Sequence, residues 1–180
     1  MKLKYLVLIV IVSLFLSRCA TSATIEGMTV KDYKVEKQTG DKLFIKSVRG
    51  GKKTNPLWVS NITNNNFEEA LKKSILESNA FGKIDSISDG DWVLEVNLIS
   101  VSRPMGFNLT VNTVIEYNLY DNSKLIFTKK ISQSGSATFS DALYGTKRLR
   151  LANENSARNN IREMLQSLKE VAPENSIKIP

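Results

Sequence analysis

The chain has 180 residues, 42% of them hydrophobic, with 25 Lys+Arg against 18 Asp+Glu, one Cys and no His. The missing imidazole excludes a Ser-His-Asp triad, a Cys-His dyad and a histidine metal ligand, and a single thiol excludes an intrachain disulfide and a thiolate zinc site. Nine Gly and four Pro are too few for a low-complexity chain, and the length suits one domain with a core of its own.

Lys2 and Lys4 precede an uncharged run from Tyr5 to Leu16. This is the basic n-region and apolar h-region of a secretory signal, shorter than the about 20 residues a spanning helix needs. Residues 1–18 therefore read as a signal peptide. Leu16-Ser17-Arg18-Cys19 follows at once and resembles the lipobox of bacterial lipoproteins, with Arg18 standing where that family has Gly, Ala or Ser. The resemblance implies that Cys19 is the acylated N-terminus of the mature chain. It also implies that Ala20, as a residue other than Asp, goes with outer-membrane sorting and a periplasmic location. The competing reading is ordinary cleavage after Ala23, which leaves a soluble periplasmic protein. The odd-cysteine argument favours lipidation, since the lone thiol of an exported chain lies directly behind the apolar run. Lys2, Lys4 and Arg18 leave with the signal, so 25 bases become 22 and the net charge falls from +7 to +4. That balance is too mild to argue for nucleic acid.

Residues 19–32 are small, polar and without periodic hydrophobics, and read as a lipidated tether. A single domain is placed at 33–172, with a flexible tail at 173–180. Within it, Lys42 to Val48 reads as a strand ended by Arg49-Gly50-Gly51-Lys52-Lys53; this run lacks the spacing of a phosphate loop and is a solvated turn. Leu57-Trp58-Val59 is a short second strand. Phe67, Ala70, Leu71, Ser74, Ile75 and Ser78 recur at helical spacing, which predicts a helix from Asn66 to Asn79, capped by Asn65 or Asn66. Glu68 with Lys72 and Glu69 with Lys73 are favourable i,i+4 pairs on it. Asp85, Asp89 and Asp91 surround Gly90 without the alternation of a calcium loop, so a polar turn is expected there.

Three strands follow: Trp92 to Ser102, Phe107 to Leu119 and Lys124 to Ser134. The middle one alternates most cleanly, with Phe107, Leu109, Val111, Thr113, Ile115, Tyr117 and Leu119 on a packed face and Asn108, Thr110, Asn112, Val114, Glu116 and Asn118 on a wet one. A loop from Gly135 to Thr146 carries Phe139 and Tyr144. Ala157, Ile161, Met164, Leu165, Leu168 and Ala172 then predict a last helix from about Asn153 to Val171. The expected fold is α+β: an antiparallel sheet of four to five strands with two helices on one face, in the order β(β)-α-β-β-β-α.

The lipobox, the helix motif Phe67-Glu68-Glu69-Ala70-Leu71, the strand meander and the closing run from Arg148 to Ile161 together resemble small bacterial envelope lipoproteins, the YajG-like and transport-auxiliary group. The resemblance implies an anchored periplasmic module, with no catalytic residue to carry over and no cofactor or metal.

Three readings of function follow. The leading one is a non-enzymatic binding or assembly module of the envelope, held to the membrane by its lipid and docking a protein partner or lipid headgroups through Lys147, Arg148, Arg150, Arg158 and Arg162; oligomeric state is left open. The plain alternative for these charges is a solvated helix flank. The second is a carrier of a lipid or other apolar ligand between sheet and helices, gated by Phe139 and Tyr144. The third is a histidine-independent hydrolase pairing Ser134 or Ser140 with Lys147, around which no motif stands.

Overall fold

The computed structural model describes residues 20–55, 59–86, 92–104, 106 and 108–171. The signal peptide, Cys19, Leu57 and Trp58 of the expected second strand, Asp89 and Asp91, Phe107 and the tail 173–180 lie outside the described residues.

The strands are β1 (Gly40–Arg49), β2 (Phe81–Asp85), β3 (Trp92–Val101), β4 (Leu109–Asp121) and β5 (Lys124–Ala137). The helices are the single turn α1 (Ile25–Met28), α2 (Asn64–Glu77) and α3 (Gly145–Ser167), the last running into a 3-10 turn at Leu168–Glu170. The α+β expectation holds, with one sheet in the order β2-β1-β3-β4-β5. That sheet is mixed rather than antiparallel, because β1 runs parallel to both of its neighbours. The crossover through α2 delivers β2 alongside β1, as a helical connection between neighbouring strands does. β2 escaped the sequence because it is five residues long and only Phe81 in it is fully buried, so there is no alternation to read. Of the expected short second strand, the described part forms one isolated bridge between Asn55 and Val59.

β4 follows the expected alternation: Leu109, Val111, Thr113, Ile115, Tyr117 and Leu119 are all buried. The inward residues of β1 are Leu43, Ile45 and Val48, and a register shift between Ile45 and Ser47 explains the change of parity. Phe67, Leu71 and Ile75 of α2 share one core with Ile161 and Leu165 of α3 and Leu168 of the 3-10 turn that follows it. The α2 cap is Thr63, whose side chain accepts from Asn66 N–H, rather than Asn65 or Asn66. Lys72 takes both Glu68 (2.8 Å) and Glu69 (2.9 Å), while Lys73 reaches Glu26 (2.6 Å). α3 starts at Gly145, earlier than expected, because Leu149 and Leu151 pack with Ala152 on Leu109, Val111 and Ala137 in a second, smaller cluster.

Residues 20–31 do not hang free as a tether. Ala23, Met28 and Val30 are fully buried, and Ala20 is 5% exposed. The main chain is stitched on as well: Ala23 N–H donates to Asn61 O (3.0 Å), Asn66 Nδ2 to Ala23 O (2.8 Å) and Val30 N–H to Ser74 Oγ (2.9 Å). Four apolar residues without a period were enough to pack this segment across α2 and α3, and periodicity is all that a sequence pattern offers.

α3 meets the sheet through polar side chains. Ser156 Oγ donates to Gln133 O (2.8 Å), Asn160 Nδ2 to Ile131 O (3.0 Å) and Tyr117 OH to Asn160 Oδ1 (3.0 Å). Gly135 permits this approach, since a Cβ there would stand 2.1 Å from Ser156 N.

Candidate functional site

The five basic residues near α3 do not form one surface. Lys147 is exposed, and among the described residues it has no ion pair. Arg148 is 6% exposed; its Nη1 donates to the carbonyls of Ala142 and Leu143 (both 3.3 Å), and its guanidinium lies 3.6 Å from the centre of the Phe139 ring. Arg150 donates to Thr21 Oγ1 (3.1 Å) and faces Glu154 (3.5 Å). Arg158 donates to Gly27 O (2.7 Å) and also bonds Asn155, while Arg162 is bonded to Asp32. Three of the five therefore clamp the N-terminal segment to α3, and a fourth holds the loop before it. The partners were hidden from sequence reading because they lie about 130 residues away, in a segment without a pattern.

Three carboxylates complete the clamp. Hydrogen bonds from Lys31 and then Lys73 pull the Glu26 carboxyl down from 4.5 to about 2. The guanidinium of Arg162 lowers Asp32. Glu154, 4% exposed, accepts from Thr24 N–H (2.9 Å) and Thr24 Oγ1 (2.8 Å).

The space between sheet and helices, where a carrier's cavity was expected, is filled by Phe67, Leu71, Ile75, Tyr117, Ile161 and Leu165, none of them solvent-exposed. A cavity of about 360 Å³ lies elsewhere, where β1 and β3 end beside the first turns of α3. Its apolar wall is Val59, Ile62, Ile99, Val101, Pro104 and Leu149, and its lining does not include Phe139 or Tyr144, the residues expected to gate it. A register shift between Leu98 and Ser100 leaves Ile99 out of the β3–β4 pairing, 44% exposed. Gly50 closes the β1 side at φ 84°, where a Cβ would stand 2.0 Å from Leu98 O, so only glycine fits.

The polar part of the lining is sparse. Asn153 Nδ2 donates to Ser60 O (2.9 Å). The Ser60 hydroxyl is sealed from solvent and has no hydrogen-bond partner among the described residues. Lys52 and Arg103 are exposed lining residues without an ion pair among the described residues. An apolar wall with a few polar groups at its margin is the usual make-up of a small-ligand site. No three acidic side chains converge as metal ligands among the described residues. Ser134 Oγ bonds Asn112 Oδ1 (3.3 Å) and Ser140 Oγ bonds Thr138 Oγ1 (2.7 Å), so neither serine is paired with Lys147.

No protein-family model matches the chain, and no curated protein matches it. Solved structures do. A DUF330-family protein of Xanthomonas campestris overlays with a TM-score of 0.52 at 10% identity, covering 78% of this chain and 90% of that one. A hypothetical protein of Chlamydia trachomatis gives 0.54 at 9% identity, covering 76% and 99%. A minor lipoprotein of Acinetobacter baumannii overlays more loosely, at 0.42 and 14% identity over 71% and 92%. At these identities the first two likenesses are likenesses of fold.

Proposed function

We propose that the chain is a lipid-anchored lipoprotein of the bacterial cell envelope, held through Cys19 to the periplasmic side of the outer membrane, and that it binds an amphiphile rather than transforming one. The observation that carries the binding role is the cavity of about 360 Å³ at the end of β1 and β3. It has room for one short apolar chain against Ile62, Ile99, Val101 and Leu149, with Lys52 and Arg103 placed for an anionic head. The anchoring role is supported by the signal-like N-terminus and by the lone thiol directly behind it. The arginines of α3 give no support to docking through that group, because each of them is bonded within the chain.

Two measurements test the reading. Labelled palmitate should enter the wild-type protein and be absent from Cys19→Ser; an unlabelled wild type whose mature chain begins at Thr24 refutes the anchor. A fluorescent fatty acid should bind the purified protein, and Ile99→Glu should weaken that binding at least about tenfold by setting a charge in the apolar wall. Equal binding by wild type and Ile99→Glu refutes the cavity as the site. Because Ile99 is 44% exposed, the substitution leaves the core intact.

A further inference from the structure

The end of the domain that carries the cavity also carries the two most exposed large apolar residues among the described residues, Leu143 and Tyr144. β3 ends at Val101 opposite Thr113, β4 begins at Leu109 opposite Ala137, and from there the chain turns through residues 138–144 into α3. In that turn Leu143 is 78% exposed, Tyr144 52% and Phe139 47%. The turn is firmly built. Asp141 accepts from Thr138 N–H (2.7 Å) and Thr138 Oγ1 (2.9 Å), which bends the one acid of the turn back on its own backbone. The buried Arg148 holds the carbonyls of Ala142 and Leu143. A fixed apolar tip in water loses the free energy that burial would return.

The N-terminal segment leaves the fold at the same end. Thr21 is bonded to Arg150, one turn along α3 from Lys147, and Ala20 is packed. Cys19 is two residues before Thr21, a reach of at most about 7 Å. Lys52, Arg103 and Lys147 are exposed around this end without an ion pair among the described residues. We infer that the 138–144 turn enters the headgroup layer of the anionic leaflet that holds Cys19, so that the domain stands on the membrane on this end instead of swinging on a leash. The clamp of Arg150, Arg158 and Arg162 removes the slack, the apolar tip gains burial, and the basic residues meet lipid phosphates. The inference rests on the anchoring reading above.

The test uses the full-length protein reconstituted into vesicles of phosphatidylethanolamine and phosphatidylglycerol, with a spin label on Leu143→Cys or on Leu125→Cys. Acylation closes the Cys19 thiol, so the introduced cysteine is the one labelled. Leu125 is 47% exposed and sits beside the β4–β5 turn, at the other end of β4, roughly 35 Å away. Both side chains are exposed, so neither change disturbs the packing. The Leu143 label should be relaxed by oxygen and shielded from a water-soluble nickel reagent, and the Leu125 label should show the reverse. Lys147→Glu should reduce the shielding of the Leu143 label. Two labels equally open to nickel, in protein that floats with the vesicles, overturn the standing pose while leaving the anchor intact. A protein that takes up no palmitate and does not float overturns both.

Discussion

Glu154 is surrounded by donors: Thr24 supplies its N–H and hydroxyl, and Arg150 lies 3.5 Å away on the same helix. With 4% of its surface exposed, this carboxylate meets almost no water, so its partners in the N-terminal segment replace hydration. Glu154→Ala leaves both Thr24 donors unmatched and takes away the carboxylate facing Arg150 Nε, and should cost about 2–3 kcal/mol in denaturant unfolding. Glu154→Gln keeps one acceptor oxygen and should cost about half as much. If Glu154→Ala unfolds like the wild type, the segment is not held through this residue. Tyr117 poses a similar question deeper in. Burial pushes its phenol above the ordinary value, and its hydroxyl donates to Asn160. Tyr117→Phe leaves the buried Asn160 Oδ1 without its donor and should cost about 1–2 kcal/mol. Asn160→Ala strands Tyr117 OH and should cost about 2–3 kcal/mol in the same assay.

At the scale of elements, α3 both covers the core and blunts the edge of the sheet. β5 is the last strand, and Asn155 and Asn159 donate to its Ser136 and Ser134 carbonyls (both 2.9 Å). The spacing works because one helical turn of four residues advances about 6 Å and two strand residues about 6.6 Å. The helix and strand run in opposite directions, so the two ladders stay in step. Losing both amides should open the edge to a second chain. Asn155→Ala with Asn159→Ala should lower stability by about 1–2 kcal/mol and raise self-association in sedimentation velocity; sedimentation indistinguishable from that of the wild type refutes the edge role. The apolar faces make the complementary prediction. Leu71 and Leu165 are fully buried in one core, and either change to Ala should cost about 2–5 kcal/mol in denaturant midpoint analysis. Those stripes were legible in the sequence because a helix repeats its inward face every turn. The polar seam of Ser156, Asn160 and Tyr117 was not, because nothing in a pattern marks which polar residue of an amphipathic helix faces inward.

At the scale of the whole molecule, the legible part is the part that repeats. Two helices, four strands and the wet and packed faces of β4 follow from period, whereas the parallel pairing of β1 follows from β2, whose five residues carry no period. The basic residues of α3 were visible as charges, but their meaning lay in Thr21, Gly27 and Asp32, far along the chain. Those contacts make the N-terminal segment pH-sensitive in one direction. Glu26 is lowered from 4.5 to about 2 by Lys31 and Lys73, and Asp32 is lowered by Arg162. A carboxyl depressed in the folded state binds its proton more readily when released, so acid favours release. The stabilisation is therefore complete above pH 4.5 and fades as the pH falls toward about 2. The Glu154 contacts to Thr24 and the buried Met28 and Val30 keep the segment docked at neutral pH. Hydrogen exchange at Gly27 to Asp32 should accelerate across this acid window before exchange in β4 does, and Glu26→Gln should raise the segment's exchange at neutral pH by part of that amount, since the Glu154, Arg158 and Arg162 contacts remain. Both charges are exposed, so high salt should act in the same direction as acid. If acid speeds exchange in the segment and in β4 together, the segment is part of the global unfolding unit and the ion pairs do not set its release.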